Sequence, residues 1–137
     1  MGLISSIKNI FASGDKSYIL DGVVDWHSHL LPGVDDGVTS LEGSLEILSL
    51  MGKRGVREIW LTPHIMEDMP NTTDSLKSVF EELTATYDGP VRLHLASENM
   101  LDALFAERLK NSDFLPIGRN SDMLLVETSF YNPPSGL

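Results

Sequence analysis

Short apolar runs of strand length alternate with longer stretches of helical period along this chain, and no other feature limits its fold as tightly. The spacing predicts strands over residues 23–26, 58–62, 91–96 and 123–127, and helices over 41–53, 73–86 and 99–110. The order βαβαβαβ calls for an α/β fold, a parallel sheet with right-handed crossovers. Local punctuation agrees. Ser40 stands where an N-cap belongs, Glu42 and Glu46 follow near the positive helix end, and Gly55 is a stop signal. Leu41, Leu45, Leu48 and Met51 are the expected apolar stripe of that helix. Upstream, Leu3, Ile4, Ile7, Ile10 and Phe11 recur at helical spacing before a break at Ser13-Gly-Asp-Lys. Residues 1–22 are therefore expected to be an extension with a short amphipathic helix, and residues 23–137 the domain.

The ionisable residues fall in phase with the strands. Asp25, His27 and His29 share one face of the first strand by its period of two. His64 lies just past the second strand, Glu98 just past the third, and Glu127 closes the fourth. In parallel α/β architectures these strand ends form one rim, and sites are built there. Asp35-Asp36-Gly37 adds two carboxylates in the loop after the first strand. Asp36 reads as a metal ligand, Asp35 as a structural turn residue, and Asp25 as an outer or structural group. His94 lies four residues from Glu98, roughly 13 Å along a strand, too far to share its ion.

The chain has no cysteine. That excludes thiolate zinc sites, disulfides and cysteine-nucleophile phosphatases. Imidazole and carboxylate together suit Mn²⁺, Fe or Zn²⁺ better than Ca²⁺. The candidate ligands exceed the needs of one tetrahedral site, so at least two metals are expected. A formal net charge of −10 opposes nucleic-acid binding through a basic patch. No run of residues is long and apolar enough to span a membrane, and the start lacks the pattern of a signal peptide, so a cytoplasmic location is expected.

The stretch Val24-Asp-Trp-His-Ser-His-Leu-Leu-Pro-Gly-Val-Asp-Asp-Gly37 resembles the opening motif of the polymerase-and-histidinol-phosphatase (PHP) superfamily. It is most similar to the bacterial protein-tyrosine phosphatases of the CpsB/CapC/YwqE type. Thr62-Pro63-His64, Ser97-Glu98 and Leu125-Val126-Glu127 resemble the second, third and fourth motifs of that family, in order and at similar spacing. The resemblance runs from about Val23 to Pro134. It implies a distorted (β/α)₇ barrel with a trinuclear site. His27, His29, Asp36, His64, Glu98 and Glu127 would be the metal ligands, with Glu98 the natural bridge. It also implies attack on phosphorus by metal-activated water, and phosphotyrosine on a protein as substrate, typically a tyrosine kinase of capsule or exopolysaccharide assembly.

Two departures stand out. Family members often carry basic residues after the histidine of the second motif, where this chain reads His64-Ile-Met-Glu-Asp. The later family motifs, a further His, an Asp-x-His pair and a phosphate-binding Arg, do not occur before Leu137. Four strands cannot close a seven-stranded barrel, so the expectation is an incomplete barrel, weakly stable and poorly active alone. The alternatives are a phosphatase for a small metabolite such as histidinol phosphate, and a non-catalytic remnant.

Overall fold

In a computed structural model of the chain, residues 20–131 are described. The expected N-terminal helix lies outside them. The elements are β1 (Val24–Ser28), α1 (Leu41–Lys53), β2 (Glu58–Leu61), β3 (His64–Ile65), α2 (Thr73–Thr86), β4 (Arg92–Leu95), β5 (Glu98–Met100), α3 (Ala103–Asn111) and β6 (Leu125–Glu127). The strands are all parallel and form two three-stranded sheets, ordered β1-β2-β4 and β3-β5-β6.

The two sheets are successive halves of the same strand passes. Pro63 has no N–H to give a ladder, so β2 stops at Leu61 and pairing resumes at His64. Hydrogen bonds still cross the break. Thr62 N–H donates to Ser28 O (2.8 Å), Ala96 N–H to Leu61 O (2.9 Å) and Glu98 N–H to Pro63 O (3.0 Å). The second half carries the rim. His64 pairs with Glu98, Glu98 with Leu125, and Met100 with Glu127.

This corrects the expected third helix. Residues 99 and 100 belong to β5, and α3 begins only at Ala103, where Asp102 caps it by accepting from Phe105 N–H. Asn99 had read as helical, but it is buried and its amide spans Ser97 O and Leu125 O. Glu98 therefore sits within a strand rather than past its end. The fourth strand is also shorter than expected. Met123 makes only an isolated antiparallel bridge with Ile117.

A second correction concerns β1. Asp25 pairs with Ile59 but Ser28 with Leu61, so one extra residue is inserted between them. A one-residue insertion reverses the side-chain phase. The strict period of two on which the expected common face of Asp25, His27 and His29 rests is therefore interrupted between Asp25 and Ser28. Asp25 uses Oδ1 to accept from His27 N–H at 3.1 Å, while burial pushes its carboxyl above the ordinary range.

The helices cover one face of the first sheet. Leu31, Ile47, Leu48, Ile59, Leu61, Leu76 and Leu83 form the centre of the main core. The α1 stripe is rotated from the expected one. Gly43, Ser44, Ile47 and Leu48 are buried, and Leu41, Leu45 and Met51 only partly so. The small residues let the helix approach the loop after β1, where Ser44 Oγ donates to Leu30 O at 2.8 Å. The other face of that sheet carries Trp26 stacked on Trp60 (5.6 Å between centroids) and Trp60 stacked on His94 (4.6 Å). Residues 20–22 return to the α1–β2 connection, Leu20 N–H donating to Arg54 O and Gly22 N–H to Gly55 O. Gly55 is at φ +99°, and a Cβ there would come within 2.7 Å of Asp21 Cα. Among the described residues the strands form an open array rather than a closed barrel, with β1 and β6 at its edges.

Candidate metal centre

The rim of the strand passes gathers His27 and His29 from the end of β1, Asp36 from the loop that follows, His64 from β3, Glu98 from β5 and Glu127 from β6. Their ligand atoms fall into three overlapping groups: His27, His29 and Glu98; His29, Asp36 and His64; and His64, Glu98 and Glu127. Within each group the atoms lie within 4.8 Å of one another. Glu98 is the hub. Its Oε2 lies 3.0 Å from His27 Nε2, 3.2 Å from His29 Nε2 and 3.3 Å from His64 Nδ1. The centre is graded in exposure. Glu98 and His64 are buried, Glu127 is part-exposed, and Asp36 is 71% exposed at the outer edge.

The side chain of Asp35 is fully buried and lies beneath the centre. Its Oδ2 accepts from His29 Nδ1–H at 2.8 Å and from His64 N–H at 3.0 Å, and its Oδ1 accepts from Gly37 N–H at 3.0 Å. Gly37 has no room for a side chain, because a Cβ would fall 2.2 Å from His29 O and 2.5 Å from His29 Cβ. Asn71 holds the same loop from the other side, its Nδ2 donating to both Val34 O and His64 O at 2.9 Å.

The electrostatics follow from this crowding. The bond to Asp35, then that to Glu98, push His29 up to about 10 against the effect of burial. Burial is the strongest single influence on Glu98 and raises it. The hydrogen bonds from His29 and His27, with the charges of His27 and His64, outweigh burial and hold the carboxyl below the ordinary range. Asp35 behaves alike: burial raises it, and the bonds from His29, Gly37 and His64 bring it lower.

The donors fit bound cations. His64 Nδ1 is buried with no hydrogen-bond partner, which is costly for a polar atom unless an ion takes its lone pair. His27 Nε2 and His29 Nε2 face each other at 3.1 Å, an arrangement that suits two lone pairs aimed at a shared cation. A neutral imidazole offers one lone pair, so His29 and His64 can each serve one ion, whereas Glu98 can bridge two. These residues alone would then complete fewer ions than the number of groups they form.

The sequence matches the family described as capsular polysaccharide synthesis, CpsB/CapC, over residues 23–135. The chain belongs to the CpsB/CapC family. Its fold is similar to a structure from the crystallographic pair YwqE of Bacillus subtilis and CpsB of Streptococcus pneumoniae, described as unique metal-dependent tyrosine phosphatases. The TM-score is 0.66 at 24% identity, covering 79% of this chain and 45% of the other. The chain thus spans less than half the length of the solved protein it matches. No curated protein matches it.

Within this CpsB/CapC fold, all six residues expected from the sequence converge on one rim. His94 lies apart, with Nε2 3.0 Å from Glu58 Oε2 on the Trp60 face. Sequence reasoning passed over Glu58, a buried carboxylate that accepts from Arg92, His94 and Arg119. Its only sequence signal is a charge at the start of an apolar run. Asn71 was also passed over, since nothing local marks an amide that reaches Val34.

Proposed function

We propose that this chain carries metal-binding machinery of a metal-dependent phosphatase, which hydrolyses phosphotyrosine on proteins of capsule or exopolysaccharide assembly. The observation that supports this most is the meeting of three imidazoles and three carboxylates, drawn from successive strand passes, around Glu98. His27, His29, Asp36, His64, Glu98 and Glu127 would hold the ions, with Mn²⁺ the best fit and Fe or Zn²⁺ also compatible with the donors. When bound, such ions activate water and neutralise phosphate charge. The chain's own residues set the geometry. Asp35 fixes His29, Glu98 turns Oε2 toward three imidazoles, and the exposed Asp36 and His27 leave the outer side open to a substrate. The passes around this rim would be staves of a distorted (β/α)₇ barrel. A cytoplasmic location accords with the fact that, among the described residues, no helix is long and apolar enough to cross a membrane.

The test is phosphate release by the chain supplied with Mn²⁺, comparing a phosphotyrosine peptide with histidinol phosphate. Slow but metal-dependent release is expected from the chain alone, faster from the peptide than from histidinol phosphate. Preference for histidinol phosphate would replace the substrate assignment. Tight metal binding with no turnover of either would instead favour the non-catalytic reading.

A further inference from the structure

We infer that Asp35 is the positioning residue of the metal centre: it fixes the tautomer of His29, so that this ring meets the cations through Nε2, and it holds the backbone of His64 at the rim. The inference rests on the metal-centre reading above and adds a residue that is not itself a ligand.

The argument is geometric. The Asp35 side chain is fully buried, and both its oxygens are committed to atoms of the chain. Oδ2 takes the Nδ1–H of His29, which leaves Nε2 as the nitrogen that faces Glu98 at 3.2 Å. An imidazole held this way presents its lone pair to a metal, as carboxylate–histidine pairs do in other metal sites. The same oxygen takes the backbone N–H of His64, 29 residues further along the chain. One carboxylate therefore ties a ligand from the end of β1 to a ligand from β3. Asn71 completes the clamp, because it holds His64 O while Asp35 holds His64 N–H.

An Asp35→Asn substitution keeps the shape but breaks the pattern of acceptors. If the amide oxygen faces His29 and His64, the NH₂ group meets Gly37 N–H. If the amide is turned, its NH₂ faces His29 Nδ1 and drives that ring to the tautomer with Nε2–H, which cannot ligate through Nε2. Loss of such an outer partner typically weakens a metal site roughly 10–100-fold.

The test uses Zn²⁺ as a diamagnetic probe on the whole chain. Two measurements are made: the Zn²⁺ dissociation constant by competition with a chelating dye, and the nitrogen NMR signals of the histidine rings in the Zn²⁺-loaded protein. Expected are an Nδ1–H on His29 with its Nε2 on the metal in the native protein, and at least a 10-fold weaker dissociation constant in Asp35→Asn with its circular dichroism unchanged. Zn²⁺ bound through Nδ1 of His29, or a folded Asp35→Asn that binds within twofold of the native chain, would overturn the inference while leaving the metal centre standing. Should Asp35→Asn fail to fold, the native ring signals alone decide. Failure of the native chain to bind Zn²⁺ would remove the metal centre and this inference with it.

Discussion

His29 is the residue whose ionisation the site alters most clearly. Without metal, its pairing with Asp35 and Glu98 raises it from an ordinary 6.5 to about 10. A group raised on folding contributes stability that is complete below its unfolded value and lost as pH climbs through its folded one. The metal-free protein should therefore lose thermal stability between about pH 6.5 and 10, and a His29→Gln variant should lose this slope. Melting curves across that range check it, and an equal slope in both proteins would remove His29 as the cause. Metal must displace the same proton, so metal affinity should rise with pH over this interval. Glu98 gives a second prediction at this scale. It faces three imidazoles at 3.0–3.3 Å, so Glu98→Gln should reduce metal affinity by more than the roughly 10–100-fold that loss of an outer partner costs. Equilibrium dialysis with metal analysis measures this.

At the scale of elements, the loop from His29 to Ser40 turns a strand end into a site. Gly37 packs against His29 so closely that even a methyl group displaces the backbone. Gly37→Ala should cost about 1–3 kcal/mol in urea denaturation and should weaken metal binding as well. Ser40→Ala removes the cap that accepts from Gly43 N–H. It should cost about 1 kcal/mol while leaving metal affinity unchanged. If both variants lose metal to the same degree, the loop acts through stability alone. This contrast bears on what was legible in the sequence. The alternation of strands and helices was, because it rests on local periodicity. So was the gathering of His64, Glu98 and Glu127, because parallel strands deliver their ends to one rim. The extra residue in β1 was not, since a bulge leaves the composition of a strand unchanged and appears only in its register with β2. Nor was the strand character of Glu98-Asn-Met100, where pairing with β3 and β6 overrides a sequence that reads as a strand end at Glu98 and the start of a helix at Asn99. Asp35 was read as a turn residue, because its partner His64 stands 29 positions away.

At the scale of the whole molecule, an excess of acidic over basic residues gives a net charge of −10, and part of that excess is packed around the rim. Cations that bind the folded chain and not the unfolded one must stabilise it. At a free concentration one hundred times the dissociation constant the gain is about 2.7 kcal/mol. For a chain of this length each kcal/mol moves the melting midpoint by about 3 °C, so saturating Mn²⁺ should raise it by about 8 °C and a chelator should reverse the rise. The choice of cation separates two causes. If relief of charge repulsion were the whole effect, Ca²⁺ at equal ionic strength would do as well as Mn²⁺. Three of the six converging donors are imidazoles, which favour Mn²⁺, Fe or Zn²⁺ over a cation that prefers oxygen alone. A shift with Mn²⁺ or Zn²⁺ and little with Ca²⁺ is therefore expected. Equal shifts would mean that the acidic surface responds to any divalent ion, and the gathering of histidines at the rim would need another explanation.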